Sequence, residues 1–292
     1  MQGVITKAIS GFYYVSCDTK VYECKARGSF RNAGVSPVVG DRVNFTLIDS
    51  DHGVLESIEE RRNLLDRPII ANIDKLFIVS SFIRPSPDAL IIDRMTALAI
   101  FNGIEPVIVF NKCDMGDFTE WQRIYASAGF KSIITSAATK DGIDEISREL
   151  DGCICAFSGN SGVGKSSILN ALFPELQLKT NEISEKLGRG KHTTRHTELF
   201  AHKSGFVADT PGFSSLEIGR NLLEFKESLA DCFPDFADYR DNCRFTGCTH
   251  TCEKGCAVIE ALENGKIEAS RHNSYKEIFS ELKSIKAWEF KG

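Results

Sequence analysis

The chain has 292 residues, 42% of them hydrophobic and 26% charged, with a net charge of −5. At about 100–200 residues per domain this predicts two or three domains, each large enough to bury a core, and the mixture excludes a disordered or collagen-like chain. The acidic balance argues against a uniformly basic nucleic-acid binder but leaves room for a local basic patch, because the field that matters is regional. The opening MQGVITK has no apolar stretch of signal-peptide length. The apolar runs at 76–79 and 107–110 fall far short of the roughly 20 residues a membrane span needs. A cytoplasmic protein with no membrane partner is expected.

Residues 1–66 alternate polar and apolar over short runs: GFYYVSC at 11–17, KVYEC at 20–24 and DRVNFTLI at 41–48. Turn-forming Gly28, Gly34, Pro37, Gly40 and Gly53 fall between them. Several short strands in so short a domain predict a small β-barrel of OB type. Such barrels commonly bind single-stranded nucleic acid through a basic, aromatic face, for which Phe12, Tyr13, Tyr14, Arg27, Phe30, Arg31 and Arg42 are candidates.

Over 67–217 the rhythm changes. KLFIVS at 75–80, PVIVF at 106–110, KSIIT at 131–135 and CICAFS at 153–158 read as strands. Helical spacing falls between them at 88–102, near 118–128 and at 141–150. Alternating strands and helices predict a mostly parallel sheet covered on both faces, with ligands at the carboxyl ends of its strands.

Gly159, Asn160, Ser161, Gly162, Val163, Gly164, Lys165 and Ser166 fit G-x-x-x-x-G-K-[ST] between a predicted strand and a helical run opening at Ser167. Glycines let the backbone N–H groups turn inward on phosphates, and the helix N-terminus adds partial positive charge. Lys165 is then placed for the β- and γ-phosphates and Ser166 for Mg²⁺. Asn111, Lys112, Cys113 and Asp114 form N-K-x-D at another strand end. A carboxylate there accepts from guanine N1–H and the N2 amino group. Adenine would leave it unpaired, and such mismatches are strongly rejected. Asn111 is assigned to the ring edge, Lys112 lies along the base, and Ser136 and Ala137 offer a second guanine contact through backbone N–H. The nucleotide is GTP.

Asp209 and Gly212, in the DTPG at 209–212, are predicted to hold Mg²⁺ through water and to sense the γ-phosphate. The loop at 188–196 supplies Thr193 and Thr194, of which the Thr-Thr-Arg context favours Thr194 as the Mg²⁺ ligand. Phe213 stands where many GTPases carry a water-orienting glutamine. His192 is the candidate for that task, against a plain contact with RNA or solvent. With Lys165 and Thr194 it completes the predicted catalytic set. Residues 179–203 hold six Lys/Arg and three Asp/Glu, a local excess of 6 − 3 = +3. That excess suits either contact with RNA phosphate or a solvated loop.

The motif order is unusual. The guanine-reading elements precede the phosphate loop, which precedes the threonine loop and the DTPG, an order written G4-G5-G1-G2-G3. Moved chain ends leave the strands of a sheet in place, so this is a circularly permuted α/β P-loop GTPase domain. Beyond residue 217 the chain reads as helical to 292. Tyr275, Ile278, Phe279, Leu282 and Ile285 form one apolar stripe. Cys243, Cys248, Cys252 and Cys256 cluster there with His250, a metal site in a reducing compartment. The six other cysteines read mostly as small buried hydrophobes.

The motif order, the barrel in front and the C-x4-C-x-H-x5-C cluster behind resemble the RsgA family (YjeQ/YloQ), circularly permuted GTPases of late small-subunit ribosome assembly. The resemblance covers essentially the whole chain. It implies that Cys243, Cys248, His250 and Cys256 hold one structural Zn²⁺, with Cys252 inside the cluster as a competing thiol. It also implies that Mg²⁺ accompanies GTP. The barrel and a mostly helical zinc-binding domain would grip the small (30S) ribosomal subunit through its rRNA. The subunit would stimulate hydrolysis, and hydrolysis would release the protein. Two other readings stay open: a P-loop ATPase or small-molecule kinase, which Asp114 opposes, and a nucleotide-gated rRNA-binding scaffold with incidental hydrolysis, for which Phe213 speaks. No heptad repeat is present, so a monomer is the default expectation.

Overall fold

In the computed structural model, residues 1–28, 30, 34–66, 68–174, 197–209 and 222–284 are described. Period-2 patterning builds the first strands, β1 (Gln2–Ile9), β2 (Phe12–Cys17), β3 (Lys20–Ala26), β4 (Arg42–Leu47) and β5 (His52–Ile58). Their inward residues Ile5, Val15, Cys24, Val43, Phe45 and Leu55 form one buried cluster. Ser10 and Gly11 both take positive φ (51° and 85°), the conformation a two-residue hairpin turn requires. The order β1-β2-β3-β5-β4, with β4 returning to β1, closes the OB-type barrel.

A two-stranded hairpin, β6 (Leu64–Asp66) and β7 (Ile69–Ala71), follows. Then come β8 (Lys75–Ser81), α1 (Ala89–Phe101), β9 (Glu105–Asn111), α2 (Thr119–Ser127), β10 (Lys131–Thr135), α3 (Ile143–Glu149), β11 (Ile154–Ser158), α4 (Lys165–Leu172), β12 (Glu198–His202) and β13 (Gly205–Asp209). Strands β8, β9, β10, β11 and β13 run parallel, while β12 is antiparallel to β13. Consecutive residues of these strands serve opposite faces. Leu76, Ile78, Ile108 and Phe110 enter one core, and Phe77, Val79, Val107 and Val109 enter the other. Burial on both faces is why the strands read as unbroken apolar runs. α1 and α2 cover the first face, α3 and α4 the second. The Asp88 side chain caps α1 by accepting from the N–H groups of Leu90 and Ile91.

The parallel arrangement brings the strand ends Ser81, Asn111, Thr135, Ser158 and Asp209 to one edge. The C-terminal part contributes α5 (Leu222–Glu227), α6 (Ala257–Glu263) and α7 (Ala269–Ser284). Tyr275, Ile278 and Leu282 of the apolar stripe are buried in the same cluster as α1, with Phe279 packed against it. Ile285 lies outside the described residues. At the other end of the sheet β12 meets β1, so barrel and GTPase strands form one eleven-stranded sheet. No helix among the described residues is long and apolar enough to cross a membrane.

Candidate nucleotide site and metal centre

The phosphate loop follows β11, whose five residues are all buried, and ends on α4. Gly159, Gly162 and Gly164 take φ of 137°, 84° and 98°, which L side chains rarely adopt. A Cβ on Gly159 would strike the Val79 carbonyl, and one on Gly164 would strike the Asn111 amide. The glycine pattern thus serves close backbone packing as well as turn geometry. Lys165 donates to the carbonyls of Gly159 (2.5 Å) and Asn160 (2.8 Å). Burial alone holds its ammonium below the usual lysine range. A desolvated cation satisfied only by carbonyls is primed for an anion at the loop it spans. Ser161 is exposed, Val163 buried, and Ser166 and Ser167 half-buried in the first turn of α4.

The residues predicted to read the base converge on this loop from β9 and β10. Asn111 is 1% exposed, and its side chain ties two loops together: Nδ2 donates to the Val163 carbonyl (2.9 Å) and Oδ1 accepts from Ala137 N–H (3.2 Å). One N–H and one lone pair of that amide remain. Lys112, in a left-handed conformation (φ 65°), donates to the carbonyls of Gly162 (2.8 Å) and Ile83 (3.1 Å). Half-buried Cys113 has its thiol pushed up by burial, so it stands as a neutral filler. Asp114 is exposed, and its Oδ1 accepts from the Ser136 hydroxyl at 2.5 Å. Ser136 in turn has its N–H on the Asp141 carbonyl (3.0 Å). The Asp114 carboxylate is thereby aimed by a buried neighbour and open on its other side.

His192, Thr193, Thr194, Gly212 and Phe213 lie outside the described residues, as does the side chain of Asp209, whose backbone ends β13. The 82–88 loop against the phosphate loop was not singled out from sequence. Its Ile83 carbonyl receives Lys112, and the Ser81 hydroxyl donates to the carbonyls of Ile83 (3.3 Å) and Pro85 (3.0 Å). The available signal was its Pro-Ser-Pro punctuation directly after a strand at the ligand edge.

In the C-terminal part, Cys243, Cys248, His250 and Cys256 bring their ligand atoms within 4.8 Å of one another and can hold a metal ion. Cys243 Sγ and Cys256 Sγ are 3.8 Å apart, and each lies 3.5 Å from His250 Nδ1. A tetrahedron with Zn–S of about 2.3 Å and Zn–N of about 2.05 Å requires S···S of about 3.8 Å and S···N of about 3.5 Å. The donor spacing fits that ion. Cys252 is exposed and stands outside the cluster. The loop owes its shape to Glu253, whose carboxylate accepts from the N–H groups of Thr249 (2.9 Å), Thr251 (3.1 Å) and Cys252 (3.1 Å). Burial opposes its ionisation, yet the hydrogen bonds from Thr249 and Cys252 pull its carboxyl down to about 2. Behind the loop, His272 Nε2 lies 2.8 Å from the His250 carbonyl and the Tyr275 hydroxyl donates to the Thr249 carbonyl at 2.9 Å. Neither Glu253 nor His272 was read from sequence as part of this centre.

Comparison with known proteins decides the family. The family model described as RsgA GTPase matches residues 58–219, and that of the RsgA N-terminal domain matches 2–55. The chain belongs to the RsgA family. Proteins named small ribosomal subunit biogenesis GTPase RsgA from Geobacillus sp. (strain WCH70) and Geobacillus thermodenitrificans are 45% and 46% identical to it, each alignment covering 98% of both chains. Its fold is that of YjeQ from Thermotoga maritima (TM-score 0.84, 36% identity, 98% of this chain and 99% of that one). It also matches YloQ, a circularly permuted GTPase (TM-score 0.83, 36% identity, 98% and 96%). The permuted RsgA order explains why one sheet edge gathers the loops of β9, β10, β11 and β13 although the phosphate loop comes third among them in the chain.

Proposed function

We propose that this RsgA chain is a GTP hydrolase whose turnover is stimulated by the small ribosomal subunit late in its assembly, and that hydrolysis returns the protein to its free, cytoplasmic form. The observation that carries this reading is the convergence of Asn111, Lys112, Asp114, Ser136 and the 159–166 loop at one sheet edge, in a chain whose relatives bear the name quoted above. Asp114 reads guanine N1–H and the N2 amino group, and Ala137 N–H, which rests on Asn111 Oδ1 at 3.2 Å, turns to the exocyclic O6 of guanine. Asn111 braces the pocket with the amide capacity left to the base edge, and Lys112 lies under the base. The N–H groups of 160–166 and the α4 N-terminus cradle the phosphates. Lys165 leaves its two carbonyls for the β- and γ-phosphates, a move its desolvation favours. Ser166, Thr194 and Asp209 hold Mg²⁺, Gly212 senses the γ-phosphate, and His192 orients water in place of a glutamine. The barrel and the metal domain grip rRNA.

The metal is one Zn²⁺ on Cys243, Cys248, His250 and Cys256, a closed set that staples the loop and takes no part in hydrolysis. Elemental analysis of the purified protein is expected to return about one zinc per chain, and Cys256→Ala to lose it. Retention of full zinc by that variant would remove Cys256 from the set.

The deciding experiment is GTP turnover by the protein alone, with small subunits and with large subunits. Stimulation by small subunits only is expected. Equal stimulation by both, or by neither, overturns the reading. Phe213 favours one alternative, a nucleotide-gated rRNA scaffold; full subunit maturation by a Lys165→Ala variant would establish it.

A further inference from the structure

The turn that carries Asp114 has no core of its own. It leaves β9 after Asn111, makes a single 3-10 turn at Cys113–Met115 in which no residue is buried, and runs on to α2. Asp114 and Met115 stand exposed. Its two ends are instead held by one neighbouring dipeptide. Ser81 ends β8 directly beside Asn111, and the residues that follow it, Phe82 and Ile83, take one end each. The Ile83 carbonyl accepts from the Lys112 ammonium (3.1 Å). The Phe82 ring lies against Gly116, where an added Cβ would stand 2.1–2.4 Å from three atoms of the ring. Lys112 and Gly116 are two residues before and two residues after Asp114.

The glycine is there for the ring. Gly116 has φ 173°, an extended backbone that any residue adopts, so its conformation does not call for glycine. The Phe82 ring is what excludes a side chain. Retreat of that ring is opposed on its inner side, where it meets buried Phe118 in a T-shaped contact (5.5 Å, 87°). Phe118 in turn stacks on Phe110 of β9 (4.9 Å, 25°). The chain beyond the ring is pinned as well, by the buried Ser81 hydroxyl on the carbonyls of Ile83 and Pro85. Close-packed groups of this kind transmit a displacement to what they touch rather than absorb it.

We propose that Phe82 is a specificity-determining positioning residue, whose ring seats Gly116 and so keeps the Asp114 carboxylate in line with the guanine N1–H and N2 amino group. Ser136 fixes the direction of that carboxylate, and Phe82 fixes the turn it stands on. The proposal rests on the reading of Asp114 as the residue that selects guanine.

The test measures displacement of a fluorescent guanine nucleotide by GDP and by IDP, whose hypoxanthine lacks the N2 amino group. The unsubstituted protein is expected to prefer GDP about ten- to hundredfold, the worth of one hydrogen bond to a carboxylate. In Phe82→Ala and in Gly116→Ala that preference is expected to fall about three- to tenfold. Adding Gly116→Ala to Phe82→Ala is expected to cost nothing more, because the ring it would strike is gone. A general loosening of the fold weakens GDP and IDP alike, so a preference unchanged in Gly116→Ala overturns the proposal. That variant decides alone should Phe82→Ala fail to fold. Fully additive losses in the double variant overturn the proposal as well. A lack of GDP preference in the unsubstituted protein overturns the reading of Asp114, and the role of Phe82 with it.

Discussion

Replacing Asp114 with asparagine is expected to turn the site from guanine to xanthine. Guanine presents two donors side by side, N1–H and the N2 amino group, and a carboxylate accepts from both. Asparagine offers one carbonyl and one amino group, so its amino group faces the N2 amino group donor to donor. Xanthine carries an oxygen at C2, which accepts from that same amino group while N1–H still meets the carbonyl. Where a site is built around such bonds, the mismatched ligand is rejected by about 10²–10⁴-fold, and that loss is expected for GTP. XTP should gain a comparable advantage. The Ser136 hydroxyl, 2.5 Å from Asp114 Oδ1, serves an amide oxygen equally well, so the side chain stays aimed. Asp114 is exposed, so the melting temperature should not move. Competition of GTP, XTP and ATP against a fluorescent guanine nucleotide checks this. Effective competition by ATP for the unsubstituted protein would remove Asp114 from base reading.

The second large effect concerns Arg271. Its guanidinium is 1% exposed and donates to Asp93 of α1 (2.6 Å) and to both oxygens of Asp235 (3.2 and 2.6 Å). It also lies 4.8 to 5.8 Å from the rings of Phe233, Phe130 and Tyr125. Arg271→Leu keeps much of the apolar stem but strands two buried carboxylates, a change that costs about 3–5 kcal/mol. For a chain of this size the melting temperature should drop by about 6–20 °C. Burial already pushes Asp93 upward, and Arg271 is the main group opposing that rise. A carboxyl with a raised folded-state pKa contributes stability on the acid side, and loses it as pH rises through the folded value. Without Arg271 the rise is larger, so the deficit should narrow as pH falls from neutral towards 5, and Asp93→Asn added to Arg271→Leu should recover part of it. A variant that melts with the unsubstituted protein would show that α7 is held to α1 by its apolar contacts alone.

Much of the nucleotide edge was legible because its chemistry is written in short words at strand ends, and because strands buried on both faces leave continuous apolar runs such as 76–79 and 107–110. The Cys/His cluster was legible from spacing, and Tyr275, Ile278 and Leu282 from helical period. Other features left no such trace. Arg271 reads as a surface charge on a polar helix, since only the fold reveals the carboxylates of Asp93 and Asp235 around it. Glu253 acts through backbone N–H groups, which carry no sequence signal. The pairing of Lys7 with Glu198 joins residues 191 apart at one ladder position, too little to impose a period on either strand. The sequence assigned Asn111 to the base edge and gave no sign of its bracing role, because its partners are the Val163 carbonyl and the Ala137 N–H.

The strand order also governs how the chain comes together during synthesis. β8 acquires β9 and then β10 on one side, but its other neighbour, β11, is made only afterwards. Until then the nascent sheet exposes an apolar edge strand whose residues end up almost wholly buried, the kind of edge that recruits stray strands. β1 waits longer still, because β12 lies nearly two hundred residues downstream. Closing so large a loop is slow relative to local pairing. The strands of the barrel are therefore made first, and the ends of β9 and β10 that carry Asn111 and Ser136 are joined to β8 in one sheet before the phosphate loop that follows β11 has been synthesised.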